Sequence, residues 1–155
     1  MKVTVGKVVC YVVDRGRLLV FLHRDHPEAG LQVPAGTIRR DEIPEDAALR
    51  EAGEETGLAG LVVVRFLGRV SYDISPIREE IQDRHVFQLA ITEPAPERWT
   101  HHELHDGLQP PTAFCFFWLP LGHPELDALV VGQGVMLDKI PAPSPSAIPG
   151  DGPAQ

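Results

Sequence analysis

The chain has 155 residues, enough for one domain with a real core and short for two. Its 43% hydrophobic and 23% charged content is that of an ordinary globular protein, and no apolar run approaches the roughly 18 residues of a membrane helix. A formal charge of −8 argues against a nucleic-acid polymer as partner, because backbone binding needs a basic patch; it favours a metal-bound, phosphorylated small molecule instead.

In chain order, Val3 to Val13 is rich in β-branched residues, and Asp14-Arg15-Gly16 reads as a turn into Arg17 to His23, a hairpin signal. Arg24 to Gly30 reads as a loop, and Leu31 to Ala35 is a short apolar run that ends at Gly36. The spacing predicts a helix from Pro44 to Thr56. Proline suits its first position, Glu45 and Asp46 suit the positive end of the dipole, and Gly57 suits the position just past the end. Leu61 to Tyr72 reads as a strand bent at Gly68, and Arg84 to Thr92 as another. Glu93 to Thr112, with four prolines and three histidines, reads as a long loop of the kind that often carries function. Ala113 to Leu119 is a buried strand, and Leu126, Leu129, Val130, Val135, Met136 and Ile140 fit a C-terminal helical segment.

From Pro141 five of the fifteen residues are proline, so residues 1–140 are expected to form the domain and 141–155 a disordered tail. The order of elements indicates an α/β (α+β) fold, a three-layer α/β/α sandwich with a mixed β-sheet. Cys10 and Cys115 lie in apolar segments and read as free thiols. With no signal-peptide pattern after Met1, a cytoplasmic location away from membranes is expected.

The chemistry concentrates in the predicted helix. Glu51, Glu54 and Glu55 stand at i, i+3 and i+4, which puts three carboxylates on one face. Glu54 and Glu55 also sit in the last turn, where the dipole disfavours anions by roughly 0.3–1 kcal/mol each. A hard divalent cation would offset that repulsion, and oxygen-only ligands point to Mg²⁺, with Mn²⁺ as the alternative. The bland reading is a solvated acidic face, with Arg50 and Glu54 as an i, i+4 ion pair.

The spacing decides between them. From Gly36 to Leu58 the sequence resembles the Nudix box, GX5EX7REUXEEXGU, with U aliphatic. Gly36, Glu42, Arg50, Glu51, Glu54, Glu55 and Gly57 fill the fixed positions and Leu58 the last aliphatic one. At residue frequencies of about 5–7%, seven such matches coincide by chance on the order of 10⁻⁸ times. Ala52 is smaller than the aliphatic residue usual at its position, which is expected to loosen the packing beneath the helix.

The resemblance implies a Nudix fold and a divalent-metal-dependent hydrolase that cleaves the diphosphate linkage of a nucleoside diphosphate derivative, with water attacking phosphorus. It implies Glu51, Glu54, Glu55 and the carbonyl of Gly36 as metal ligands. Glu42 and Arg50 become a supporting ion pair, and Gly57 allows a left-handed helix end. The base is Glu54 or a later carboxylate, with Glu103, in the long loop, the downstream choice ahead of Glu79 and Glu80. Glu51 and Glu54 count with it as catalytic.

Arg24, Arg78 and Arg84 are candidates to meet phosphate. Trp99, in a polar stretch, is the candidate to stack on a base, ahead of Tyr72; Phe87, Phe114, Phe116 and Phe117 read as core. Pro76 and Tyr72 do not match the spacings that select a substrate in some subfamilies. His101, His102 and His105 lack the cysteine partners of a zinc site and read as surface or substrate-contacting residues. The resemblance also admits a homodimer. A non-catalytic Nudix-fold regulator is the alternative, but the intact box and the lack of an appended DNA-binding domain favour the enzyme. An acidic interaction module matching the box by accident is opposed by the spacing.

Overall fold

A computed structural model describes residues 1–142, so the expected tail from position 143 onward lies outside the described residues. Seven strands form one mixed sheet: β1 (Val3–Asp14), β2 (Arg17–His23), β3 (Ala35–Thr37), β4 (Leu61–Asp73), β5 (Glu80–Ile91), β6 (Arg98–Glu103) and β7 (Thr112–Pro120). Their order is β4-β5-β1-β2-β7-β6, with β3 also paired to β1.

The central strand β1 sets the geometry. It runs parallel to β5 from Val3↔Glu80 to Val12↔Leu89 and antiparallel to its other neighbours. It pairs with β2 only at the hairpin end, Val13↔Leu18 and Asp14↔Arg17, after which the two strands separate. β3 enters the gap and pairs Lys7↔Thr37, Val8↔Gly36 and Val9↔Ala35. The middle of β1 is buried on both faces, as its unbroken run Val8-Val9-Cys10-Tyr11-Val12 requires.

Alternation along β1 divides two cores. Val8, Cys10 and Val12 face the layer of helix α1 (Pro44–Thr56), together with Phe21, Phe87, Leu89 and Phe116. Val9 and Tyr11 face the opposite layer with Val20, Val33, Val86, Leu126 and Leu129. The sheet is thus covered on both sides, and the predicted fold class is the one found. No helix among the described residues is long and apolar enough to cross a membrane.

Helix α1 keeps its predicted limits, with Pro44 in the first turn and Gly57 closing it at φ 75°. Ala47, Ala48 and Ala52 are fully buried against the sheet. Ala52 therefore belongs to a row of small side chains through which the helix approaches the strands closely, rather than to a loosened spot. Cys10 and Cys115 are free thiols; Cys10 is buried beneath Ala48.

Three expectations change. β5 begins at Glu80, because pairing with both β1 and β4 extends it through polar residues that no apolar pattern marks. The long predicted loop contains β6, an edge strand whose inward residues are Trp99, His101 and Glu103. The C-terminal layer is three short 3₁₀ helices, Pro124–Ala128, Val130–Gly132 and Leu137–Lys139, rather than one α-helix. Pro124 begins the first, while Val131 at φ 45° and Gly132 at φ 70° break any continuous helical path.

Candidate active site

The box folds as β3, a loop and α1, so that Gly36 on the sheet faces Glu51 on the helix. A Cβ at position 36 would lie 1.7 Å from Glu51 Oε2, so only glycine leaves that carboxylate its place. Glu55, one turn further on, accepts a hydrogen bond from the Ala35 N–H at 3.0 Å. The glycine and the two glutamates are thereby fixed to the same three-residue strand.

Arg50 organises the remainder. Its Nε and Nη2 donate to the two oxygens of Glu42 at 2.8 and 2.9 Å, a bidentate pair, and Nη2 also donates to the Thr37 carbonyl at 2.9 Å. Glu42 in turn accepts from the Arg39 N–H at 2.9 Å. The Arg50 guanidinium and that N–H hold the Glu42 carboxyl down at about 2. Nη1 reaches Glu51 at 3.0 Å and, more loosely, Glu54 at 3.4 Å. One cation thus ties the loop to the helix and restrains two carboxylates.

Two of these glutamates are perturbed by burial and by the carboxylates around them. Burial pushes the Glu51 carboxyl above its ordinary range; Arg50 opposes this, while Glu54 and Glu103 add repulsion. Burial raises Glu55 further, against the pull of the Ala35 N–H, with Glu51, Glu103 and Glu54 again repelling. Glu103, from β6, therefore belongs to the same charge cluster as the helix carboxylates. It accepts a long hydrogen bond, 3.4 Å, from the His105 N–H.

A cavity of about 580 Å³ opens over this cluster, within the range of small-molecule sites. Glu51, Glu54, Glu55 and Glu103 form its acidic side, and Lys7, Arg39 and Arg78 its basic side. Lys7 donates to Thr37 Oγ1 at 2.7 Å, and burial lowers its pKa. Among the described residues, no three acidic, histidine or cysteine side chains stand as a ready-made metal cage. Arg50 holds Glu51 and Glu54, and the Ala35 N–H holds Glu55, each in its own direction. The donor set nonetheless fits a hard divalent cation: it is all oxygen, partly desolvated and self-repelling.

The other expected residues fall in different places. Gly57 has the left-handed conformation expected of it, against the ring of His101. Trp99 does not face the cavity: its ring stacks on Phe116 at 5.2 Å, and its indole N–H donates to the Thr56 carbonyl at 2.8 Å. It caps the C-terminus of α1 where a base-stacking residue was expected. Arg24 is exposed, pairs with Asp25 at 3.3 Å and does not line the cavity. Glu79 and Glu80 accept from Ser75 and Gln82, also outside it. Arg84 is buried in an adjoining cavity. His105 lines the cavity over the glutamates and shares a hydrogen bond with Thr112 Oγ1 at 2.7 Å.

Lys7, Arg39 and Gln109 line the cavity unforeseen. Lys7 carried a signal, being a lone cation inside a β-branched run; Gln109 carried none.

This architecture is matched by the NUDIX domain over residues 4–139, and the chain belongs to that family. With all fixed positions of the box intact, it is a Nudix pyrophosphohydrolase. Solved structures share the fold at low identity. A MutT NUDIX hydrolase from Burkholderia pseudomallei is 21% identical, with a TM-score of 0.61 over 89% of this chain and 98% of that one. The E. coli ORF135 protein is 18% identical, with a TM-score of 0.60 over 90% and 89%. A UDP-X diphosphatase is 14% identical, with a TM-score of 0.60 over 87% of this chain and 60% of the other.

Proposed function

We propose that this enzyme hydrolyses the diphosphate linkage of a nucleoside diphosphate derivative in a divalent-metal-dependent reaction, with water attacking one phosphorus. The observation that carries this reading is the meeting of Glu51, Glu54, Glu55 and Glu103 with Lys7, Arg39 and Arg78 around one cavity. Carboxylates alone repel a diphosphate, and cations alone would bind it without activating water. The two together divide the work.

Glu51, Glu54 and Glu55, with the Gly36 carbonyl as a further ligand, are the residues that would hold Mg²⁺ or Mn²⁺. When bound, the cation supplies neutralisation of phosphoryl charge and acidification of water. Lys7, Arg39 and Arg78 orient the non-bridging oxygens and offset charge that builds on them. Arg50 and Glu42 position the helix carboxylates. We assign the proton acceptor to Glu103. Glu54 shares its carboxylate with Arg50, whereas no lysine or arginine pairs with Glu103 among the described residues.

The test is release of phosphate and nucleotide from nucleoside triphosphates, oxidised guanine nucleotides, ADP-ribose and dinucleoside polyphosphates, with Mg²⁺, Mn²⁺ or chelator. Hydrolysis that disappears with chelator is expected. Tight binding of a member without turnover would replace the enzyme with the regulator.

A further inference from the structure

Beside the cavity over the glutamates lies a smaller one of about 190 Å³, which shares Lys7, Gly36 and Arg78 with it; its other polar side chains are Arg84, Gln82 and Gln133, and Val8, Val9, Ala35 and Val131 complete the wall. Arg84 is only 3% exposed, and Gln82 and Gln133 are also buried. No carboxylate pairs with Arg84 among the described residues. Its Nε donates to Gln82 Oε1 at 3.0 Å, its Nη1 donates to the Val131 carbonyl at 2.6 Å, and its Cζ lies over the Tyr72 ring, 4.4 Å from the centroid. A buried guanidinium without a counter-anion is costly and calls for an explanation.

The surroundings hold it there at some strain. Val131, a β-branched residue, sits at φ 45° and ψ 41°, a conformation such residues rarely adopt. Its carbonyl is the one that meets Arg84. Gly132 follows at φ 70°, where a Cβ would lie 2.6 Å from the Tyr72 ring. Gln133 then accepts from the Val33 N–H through Oε1 at 2.9 Å, and its carbonyl accepts from the Tyr11 hydroxyl. Val131 and Gln133 are thus fixed in the wall of this cavity, with Gly132 turning the chain between them.

The hydrogen-bond inventory gives the chemistry. Gln82 already accepts from Arg84 and donates to Glu80, and the Gln133 oxygen already accepts from the Val33 N–H. Of the polar side chains that line the cavity, Arg84, Lys7 and Arg78 are cationic, the two glutamine amides keep N–H donors, and none is a carboxylate. The volume corresponds to about six waters at ~30 Å³ each, room for one polyatomic anion and below the size of a whole-ligand pocket.

We propose that this cavity binds a second phosphate group of the substrate, one that lies beyond the hydrolysed linkage. The inference rests on the hydrolase reading, since the shared residues Lys7, Gly36 and Arg78 let one substrate span both cavities. It defines a substrate class: diphosphate compounds that carry a further phosphomonoester, in preference to otherwise identical compounds that lack it.

Two measurements test it. Metal-free thermal melts with inorganic phosphate should show protection of the wild type, weaker protection of Arg78→Gln and none of Arg84→Gln. With Mg²⁺, kcat/KM should be compared for matched pairs: coenzyme A against dephospho-coenzyme A, and ADP-ribose against its 2′-phosphorylated form. A preference of tenfold or more for the phosphorylated member is expected in at least one pair, falling towards one in Arg84→Gln. Equal rates within both wild-type pairs, or a preference that survives in Arg84→Gln, would overturn the proposal. So would selection that follows base carbonyls at constant phosphate number. If no compound is hydrolysed, the hydrolase reading fails, and the melts still decide the pocket: phosphate protection lost in Arg84→Gln supports it, and no protection overturns it. Should Arg84→Gln not fold, exposed Arg78→Gln carries the same comparison, and undiminished preference and protection there overturn the proposal.

Discussion

The carboxylate of Glu51 occupies the volume that a side chain on Gly36 would fill, with Oε2 only 1.7 Å from where a Cβ would stand. Gly36→Ala should therefore displace Glu51 while leaving the sheet pairing Val8↔Gly36 intact. The expected loss is on the order of 100-fold in kcat, the cost of misplacing a catalytic group by about 1 Å. Circular dichroism should be unchanged; wild-type kcat in this variant would remove Glu51 from the site.

Glu55→Gln separates stability from activity. Its carboxyl is raised by burial and by neighbouring glutamates, so its charge destabilises the metal-free fold. A folded-state pKa above the unfolded value means that the contribution is favourable below the unfolded pKa and lost as pH rises through the folded one. At neutral pH, Glu55→Gln should melt higher than wild type in chelator, since glutamine can still accept from the Ala35 N–H. It should gain less from added Mg²⁺ and lose metal-dependent turnover. A lower melting temperature in chelator would contradict this.

Glu42 has the opposite sign. Its carboxyl is held at about 2 by Arg50 and the Arg39 N–H. The stability it contributes is fully present above the ordinary carboxylate pKa of 4.5 and is lost as pH falls towards 2. Thermal melts between pH 6 and pH 3 should show a steeper decline for wild type than for Glu42→Gln, which starts lower. Parallel curves would show that the pair does not hold the fold.

Glu103→Gln should reduce kcat with little change in the Michaelis constant. The loss from general-base removal is about 10²–10⁴-fold. An unaltered kcat would move the proton acceptor back to Glu54.

Trp99→Ala should cost roughly 2–4 kcal/mol of stability through lost stacking on Phe116 and an unsatisfied Thr56 carbonyl. The Michaelis constant of the remaining folded enzyme should hold. A raised constant at unchanged stability would restore Trp99 as a substrate contact.

Trp99 also shows where sequence reading stops. The box was legible because its glutamates, glycines and arginine stand at fixed spacing on one loop and helix, so local geometry alone brings them together. β6 was hidden because an edge strand may be polar. Its alternation of Trp99, His101 and Glu103 was a period-2 signal within a stretch rich in prolines and histidines. The C-terminal helix was misjudged because an apolar pattern cannot report the backbone angles of Val131 and Gly132. Arg84 was named, but its cavity depends on the register of β1 against β5 and on Gln133, some fifty residues away. No local pattern carries such information.

The way β1 changes partners, from β2 to β3, has a further consequence. Through Val8↔Gly36 and Val9↔Ala35 the strand grips the cutting apparatus by its backbone, while Tyr11 secures the turns around Gln133 by its side chain. Backbone pairing tolerates almost any side chain, whereas positions 131–133 are tied by the Arg84 contact to the Val131 carbonyl, by the close approach of Gly132 to Tyr72 and by the Val33–Gln133 hydrogen bond. A change in the middle of β1 would therefore reach the box through the backbone and the 131–133 turns through a side chain, so one strand transmits strain to both sides of the sheet.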